Sequence, residues 1–306
     1  MSEPRRHHLV PQMYLKRFAD SKQRLVMVSR DQTKRLPGQH IKTVCAQTDY
    51  YSVETDNGQS QEVEKLLSLI EGEANTAIER MLNGKFPPST ADRKAVALFI
   101  GFQCLRGDET RQMFEEVGDA LLKLMPANMP SEAITEEFRK REGRESNEIE
   151  IEAPTFILNN LDKVSAKPHQ NDIIRSMLQI APEVADIMLQ RRWFLGDHGE
   201  PCLLTSDTPV VSWSKPTSAD AHYRRGWRNA DEIQMPLSPR YSLCLVWDER
   251  FKERMIPFER ERGLSIAVGL NQLVAHRARR WIFHHPDTDP LKGITLDPVE
   301  PVIKAR

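Results

Sequence analysis

Two neighbouring histidines near the N-terminus are the first residues whose type and spacing suit chemistry. His7 and His8 open the stretch HHLVPQMYLKRFAD, which ends at Asp20. An imidazole titrates near neutral pH, so a histidine beside a bound cation can deprotonate a water molecule. His8 is therefore a candidate general base or metal ligand. In the alternative interpretation, Pro11 ends a strand and the apolar residues behind it only anchor a short helix to the core.

The start of this stretch resembles the first part of the motif of ββα-metal nucleases. That motif also needs a downstream asparagine and a second histidine on a short helix. Between Val10 and Asp56 there is no asparagine, and the only histidine there, His40, lies in a predicted turn. The complete motif is absent, so a function of His8 does not depend on that fold.

Asp207 is the strongest single carboxylate candidate. It lies in LLTSDTPVV, where a strand must end by Pro209 because proline cannot donate to a ladder. Strand ends that lead into loops are common places for catalytic acids and metal ligands. We therefore expect Asp207 to act as a carboxylate or metal ligand, with the neighbouring hydroxyls of Thr205 and Ser206 binding the ligand. The alternative is an Asx-type turn in which Asp207 only bonds nearby backbone N–H groups.

Arg106 lies within the apolar stripe of a predicted helix, with Gln103 at the edge of the same face. A guanidinium group is almost never buried without a partner. We therefore predict that Arg106 is buried against a carboxylate, the candidates being Glu71, Glu109 and Asp207. A purely structural ion pair would satisfy this prediction. In the functional alternative, Arg106 and Gln103 hold the phosphate or carboxylate of a ligand.

Glu71 and Asn271 complete the set of candidates. Glu71 borders the apolar stripe of the preceding predicted helix, and the short GKFPPS connection can bring it near Arg106. A glutamate–arginine pair inside a helical hairpin is often structural. Asn271 lies in the otherwise apolar stretch AVGLNQLVA, where an inward amide either orients a ligand or satisfies buried backbone groups.

Apolar periodicity predicts the elements that must position these side chains. RLVMVSRD and TVCAQTDYYSVE are predicted strands of an N-terminal hairpin, with TKRLPGQH as the turn between them. A helical period predicts helices over 61–83, 90–124 and 171–190, the second of which Gly107 can kink or split.

The remaining chain returns to short β-prone runs. They are a hairpin in RRWFLGDHGEPCLLTSD, then PVVSW, EIQMPLSPRYSLCLVWD and the closing WIFHHP, with a late helix in GLSIAVGLNQLVAHRARR. The predicted fold class is therefore α+β: an N-terminal β-hairpin, a central helical hairpin or bundle, and a mostly antiparallel C-terminal sheet with a late helix.

Composition and charge limit the function classes. The 306 residues are 39% hydrophobic and 28% charged, which predicts one globular domain over 1–306, with a mobile, Glu- and Arg-rich insertion at about 127–150. The net charge is −1, but residues 1–42 hold ten Lys and Arg against three acids. Such an excess suits a nucleic acid or nucleotide partner, although a solvated basic edge explains it equally well.

Several functions are disfavoured by what the sequence lacks. The four cysteines are scattered without a C-x-x-C pair, so we expect reduced thiols and no zinc. No apolar run approaches a membrane span or a signal peptide, and we therefore expect a cytoplasmic protein without membrane contact. Walker, Rossmann, H-E-x-x-H and nucleophile-elbow motifs are also missing, which disfavours ATP, nicotinamide and serine-hydrolase chemistry.

Five segments in a fixed order resemble one family. They are HHLVPQMYLKRFA, FQCLR, LLTSDTPVV, PLSPRYSLCL and GLNQLVAHRARRWIF, and together they resemble domain-of-unknown-function family 4238. The resemblance implies a bacterial, mostly cytoplasmic, single-domain family without an established activity. A residue-by-residue match of the segments selects His8, Gln103, Arg106, Thr205, Ser206, Asp207 and Asn271.

The leading hypothesis is a metal-dependent phosphodiester hydrolase, a nuclease of bacterial defence or toxin-effector type. His8, Glu71 and Asp207 would be catalytic, His8 and Asp207 would bind Mg²⁺ or Mn²⁺, and Arg106 would clamp the phosphate.

Two alternatives stay open. In the first, a cleft of Gln103, Arg106 and Asn271 binds a nucleotide or another anionic ligand without catalysis and signals to a protein partner. In the second, the buried polar groups only specify packing in a structural interaction protein. A homo-oligomer is compatible with each alternative.

Overall fold

The computed structural model describes residues 6–48, 50–55, 58–124, 168–215, 226–250 and 252–297, together with isolated positions between 135 and 165. Contacts divide the chain into two compact units, one of 1–109 and 174–300 and the other of 110–173 and 301–306. The insertion predicted at about 127–150 lies almost wholly outside the described residues, and the single domain over 1–306 stays a prediction.

The described helices agree closely with the apolar periodicity. They are α1 (Gln12–Leu15, continued by a 3-10 turn at Lys16–Phe18), α2 (Glu62–Leu82), α3 (Thr90–Leu105), α4 (Asp108–Leu124), α5 (Gln170–Leu189) and α6 (Arg260–Arg277). The segment predicted as one helix over 90–124 is split at Arg106–Gly107. Ser89 caps α3, and its hydroxyl accepts a hydrogen bond from the Asp92 amide.

Short strands make up the rest of the described fold. They are β1 (Arg6–His8), β2 (Arg24–Ser29), β3 (Arg35–His40), β4 (Ala46–Thr48), β5 (Val53–Thr55), β6 (Gly58–Ser60), β7 (Arg192–Asp197), β8 (Thr205–Ser206), β9 (Val211–Trp213), β10 (Glu232–Pro236), β11 (Tyr241–Val246), β12 (Arg254–Pro257) and β13 (Trp281–His284). The fold is therefore α+β, with an N-terminal hairpin and a C-terminal sheet that is largely antiparallel.

Two sheets form the framework of the first unit. A five-stranded sheet has the order β12-β7-β11-β10-β9, in which only β12 pairs in parallel. A four-stranded antiparallel sheet has the order β3-β2-β13-β8. The strand pairs β1–β4 and β5–β6 stand apart from both sheets.

Alternation along the strands determines where the core lies. Trp193, Leu195, Leu243 and Leu245 point to one face of the five-stranded sheet and join the buried faces of α2, α3 and α5 in a large hydrophobic cluster. A smaller cluster holds the buried apolar side chains of α6 together with Val26 and Val28 of β2 and Ile282 of β13. In the described part of the chain, no helix is both long enough and apolar enough to cross a membrane.

The crossing of α3 and α5 leaves no room for a side chain at Gly101. A Cβ atom placed there would lie 2.4 Å from the carbonyl oxygen of Ala181 and 3.2 Å from the amide nitrogen of Ala185. Both atoms belong to the backbone of α5 and cannot swing away as a side chain can. Glycine is therefore needed here for the close approach of two helices.

Two predictions of strand pairing are wrong. TKRLPGQH contains strand β3 rather than a turn, because β3 is a sheet edge, where the missing N–H of Pro37 costs no ladder bond. RRWFLGDHGEPCLLTSD does not form a hairpin either, since β7 and β8 belong to different sheets. The amides of His198 and Cys202 bond to the 239–240 backbone, so the chain crosses to the second sheet instead of folding back.

Candidate functional site

The packing of α2 against α3 brings Glu71 to Arg106. Arg106 follows the last residue of α3 and is only 4% exposed. Its Nη1 lies 2.6 Å from the Glu71 carboxylate, and its Nη2 donates to the His8 carbonyl oxygen at 2.9 Å. The ring of Tyr51 lies 5.2 Å from the guanidinium carbon. The prediction that Arg106 is buried against a carboxylate is confirmed, with Glu71 as the partner.

His7 and Tyr51 support this ion pair from the N-terminal side. The Tyr51 amide donates to His7 Nδ1 at 2.7 Å, and the Tyr51 hydroxyl donates to the Arg106 carbonyl oxygen at 3.0 Å. His7 is 4% exposed, and its Nε2 lies 3.5 Å from the Glu64 carboxylate. The two adjacent histidines therefore differ: His7 holds the Tyr51 backbone through its imidazole, whereas His8 binds Arg106 through its backbone carbonyl. Sequence reasoning missed Tyr51, because only the fold brings it to Arg106.

The imidazole of His8 is neutral and has an unused nitrogen. Burial lowers the pKa of His8, although the carbonyls of Lys42 and Ile41 and the charge of Glu71 oppose that shift. Its buried Nε2 has no hydrogen-bond partner among the described residues. A neutral imidazole can accept a hydrogen bond at one ring nitrogen, so the unpaired Nε2 can act as an acceptor.

Gln103 is the most unusual polar residue at this place. Its side chain is buried at 6% exposure, yet neither Oε1 nor Nε2 has a partner within the described part of the chain. It lies three residues before Arg106 in α3, which places the two side chains on neighbouring positions of one helix face. Buried amides normally find partners, and an unpaired one costs about 1–3 kcal/mol. We call His8, Glu71, Gln103 and Arg106 the polar site.

Asp207 uses its carboxylate to hold backbone. Asp207 follows the last residue of β8. Its Oδ1 accepts a hydrogen bond from the Arg279 amide at 2.9 Å, and its Oδ2 accepts hydrogen bonds from the amides of Arg280 and Trp281 at 2.7 and 3.0 Å. Burial raises the pKa of Asp207 to about 6, and the three amide donors oppose that shift. The donors lie more than 70 residues away in sequence, so this is not the local Asx turn considered from the sequence.

The two hydroxyls before Asp207 are also engaged. The Thr205 hydroxyl lies 2.8 Å from the buried Tyr14 hydroxyl, which donates to the Pro236 carbonyl at 2.5 Å. The Ser206 hydroxyl accepts from the Thr208 amide at 3.2 Å. These contacts fix the end of β8 to the N-terminal helix and to β10.

Asn271 joins α6 to the chain before β8. Its Oδ1 accepts from the Leu204 amide at 3.0 Å, and its Nδ2 donates to the Cys202 carbonyl at 2.7 Å. Both polar atoms of the amide are thus used, as in the structural alternative. The ligand-binding roles predicted for Asn271, Thr205 and Ser206 stay predictions.

The candidates therefore fall into two groups. The polar site holds His8, Glu71, Gln103 and Arg106, whereas Asp207, Thr205, Ser206 and Asn271 surround strand β8. The two groups meet where Gly107, which follows Arg106, lies beside the side chain of Thr208, which follows Asp207. Among the described residues, no cluster of three or more His, Cys, Asp or Glu side chains is arranged to hold a metal ion.

Comparison with known proteins gives one match. A family model described as "Protein of unknown function (DUF4238)" matches residues 6–288. No curated protein and no solved structure matches the chain.

Proposed function

Since the chain belongs to the DUF4238 family, whose description names no activity, we propose a function from the polar site itself: the protein binds a nucleotide, and Gln103 and His8 hold the edge of its base. Binding rather than catalysis is the favoured role, because three backbone amides already engage the carboxylate of Asp207, one of the catalytic candidates. The signal to a protein partner would follow from this binding.

The observation that carries the proposal is the buried amide of Gln103 with both polar atoms unpaired. A side-chain amide offers a donor and an acceptor side by side, which matches the adjacent donor and acceptor on the edge of a nucleobase. The unpaired Nε2 of His8 adds one acceptor. A ligand with this pattern would satisfy three buried atoms that otherwise cost stability.

The charge of the polar site fits a base better than a phosphate. Glu71 and Arg106 neutralise each other at 2.6 Å, and the lowered pKa of His8 keeps its imidazole neutral. The guanidinium of Arg106 already bonds to Glu71 and to the His8 backbone. The phosphates of the nucleotide would instead meet the basic excess of residues 1–42, which includes the exposed Lys42 beside the His8 ring.

Isothermal titration with purine and pyrimidine nucleotides tests the proposal. We expect one class of nucleotide to bind, and Gln103→Leu to weaken binding at least about tenfold, as the loss of a base-reading contact does. The same variant should unfold at an equal or higher temperature without ligand, because it removes an unpaired buried amide. Gln272→Leu, at an exposed position of α6, is the matched control and should bind like the wild type.

Two outcomes would contradict the proposal. One is that no nucleotide binds to the wild-type protein. The other is that Gln103→Leu binds normally but unfolds at a clearly lower temperature, which would make Gln103 a packing residue.

Phosphodiester hydrolysis is the second candidate function, favoured by the neutral imidazole of His8, on whose pKa the charge of the Glu71 carboxylate acts. A neutral histidine near a carboxylate can take a proton from water. This activity would need Mg²⁺ or Mn²⁺, and the role in bacterial defence would be proposed with it. Purified protein incubated with either metal and with mixed DNA and RNA should cleave, and His8→Ala should not. Equal cleavage by both proteins, or by neither, would remove this candidate.

A further inference from the structure

Arg30 is a buried arginine without an ion pair. It follows the last residue of β2 and is 6% exposed. Its guanidinium makes one long hydrogen bond, from Nη2 to the His276 carbonyl oxygen at 3.4 Å, and its Nε has no partner. In the described chain no carboxylate lies within ion-pair distance of Arg30, and the charges of Asp297 and Asp207 act on it only from further away. Burying a guanidinium in this way costs stability unless a ligand supplies the counter-charge.

The same side chain lines an open pocket of about 490 Å³. Two further arginines face this pocket from the corner between α6 and β13, namely Arg279 and Arg280. Their charges are already met elsewhere, because Arg279 pairs with Glu109 at 2.7 Å and Arg280 pairs with Asp108 at 2.9 Å. Arg30 is the member of the three whose charge has no such partner.

The acidic residues of the pocket leave room for an anion. The Asp31 carboxylate accepts hydrogen bonds from Ser29 and Thr33, at 2.5 and 2.8 Å. The side chain of Asp297 is 87% exposed and lies 3.5 Å from the imidazole of His276. One carboxylate is thus engaged by its own turn and the other is held in solvent.

We propose that this pocket binds the phosphate group of a small organic phosphate, with Arg30 as its buried anchor and Arg280 closing over it from solvent. A guanidinium fork matches phosphate oxygens in pairs, so the unpaired guanidinium of Arg30 suits a phosphate group. The pocket is much larger than phosphate and includes the apolar Leu296, so the organic part of the ligand fits beside the anion. This site does not rest on the proposed function of the polar site.

The arrangement has a consequence for stability. A site that keeps an unpaired charge for its ligand is less stable when the ligand is absent. Arg30→Met keeps most of the side-chain volume and removes the charge. It should therefore leave the unfolding temperature of the ligand-free protein unchanged or raise it, whereas a structural arginine would lower it on replacement.

Inorganic phosphate is the probe, and thermal unfolding and calorimetric titration are the measurements. We expect phosphate to raise the unfolding temperature saturably, relative to chloride at equal ionic strength. Arg30→Met should weaken phosphate binding at least about tenfold. Arg35→Met is the control, because Arg35 is a partly exposed arginine in β3 that pairs with Asp289 outside this pocket; it should bind phosphate like the wild type.

Any of the following results would overturn the proposal. Absence of a saturable phosphate effect on the wild type up to about 20 mM would do so, since a weaker site would stay empty. Normal phosphate binding by Arg30→Met would also do so. If Arg30→Met does not fold, Arg280→Met must show weakened phosphate binding. Gln103→Leu should keep the phosphate effect, so failure of this site and failure of the polar site can be told apart.

Discussion

The ion pair between Arg106 and Glu71 illustrates how a buried charge depends on its partner. The Arg106 side chain is 5% exposed and that of Glu71 is 22% exposed. Removal of one member of such a pair leaves the other charge buried and unpaired, which costs about 3–5 kcal/mol. We therefore predict that Glu71→Gln lowers the free energy of unfolding by about 3 kcal/mol in chemical denaturation.

The control and the double variant sharpen this prediction. Glu73→Gln, at an exposed position of α2, should change stability by less than about 0.5 kcal/mol. Combining Glu71→Gln with Arg106→Met removes both charges and should recover most of the loss. A double variant as unstable as the single one would mean that the pair contributes packing rather than charge compensation.

His8 gives the polar site a pH dependence. Its lowered pKa means that the imidazole is neutral above pH 6.5, so its Nε2 can accept a hydrogen bond there. Protonation removes this acceptor. Nucleotide affinity should therefore be constant between pH 8 and 6.5 and fall only at lower pH, with a midpoint below 6.5, as titrations in a pH series can show. An affinity that rises on acidification would exclude Nε2 as an acceptor.

Single side chains were only partly predictable from the sequence. An arginine in an apolar stripe requires a carboxylate, so the burial and the type of partner of Arg106 could be predicted. The choice among Glu71, Glu109 and Asp207 could not, because it depends on distances set by the whole fold. The amides that donate to Asp207 belong to residues 279–281, and no sequence pattern near Asp207 predicts them.

At the scale of elements, the crossing of α3 and α5 makes the sharpest prediction. Gly101→Ala would place a methyl group 2.4 Å from the Ala181 carbonyl, so the helices must move apart. Such overpacking typically costs about 1–3 kcal/mol, which thermal or chemical unfolding will detect. Gly72→Ala is the matched control, since Gly72 lies within α2 with open space around it. That change should stabilise by about 0.4–1 kcal/mol.

Helices were predicted better than strand pairings, for a physical reason. The apolar stripe of a helix is a pattern within one continuous stretch of sequence. The helix predicted over 171–190 therefore differs by only one residue at each end from the observed Gln170–Leu189. Strand partners are chosen by the complete fold. TKRLPGQH looked like a turn because of Pro37 and Gly38, and only its position at a sheet edge allows it to be β3.

At the scale of the whole molecule, buried histidines link stability to pH. Burial lowers the pKa values of His8, His198 and His284 below the ordinary 6.5. The unfolded chain therefore takes up protons first, and stability that is complete above pH 6.5 is lost as the pH falls below it. Between pH 7.5 and 6 we predict that the free energy of unfolding falls, as chemical denaturation in a pH series can show.

The titration of Asp207 changes the free energy of unfolding in the opposite direction. Its pKa is raised from 3.8 to about 6, so stability from this group increases as the pH falls from about 6 towards 3.8. Asp207 is half protonated at about pH 6, so over the interval between pH 7.5 and 6 it offsets a part of the loss of stability caused by the histidines. A protein that becomes more stable over that interval would show that the three imidazoles are not held neutral.

The four-stranded sheet also sets an order of events during synthesis. Strand β2 can pair with β3 as soon as this hairpin leaves the ribosome, but its other neighbour, β13, follows about 250 residues later. Closing so long a loop is entropically costly, and the sheet cannot be completed before the late strand is made. Until then the backbone donors and acceptors on one side of β2 are open to other strands. A nascent chain that stalls before Trp281 would therefore be prone to aggregate through the unpaired edge of β2. The pairing of β13 with β2 would remove this edge.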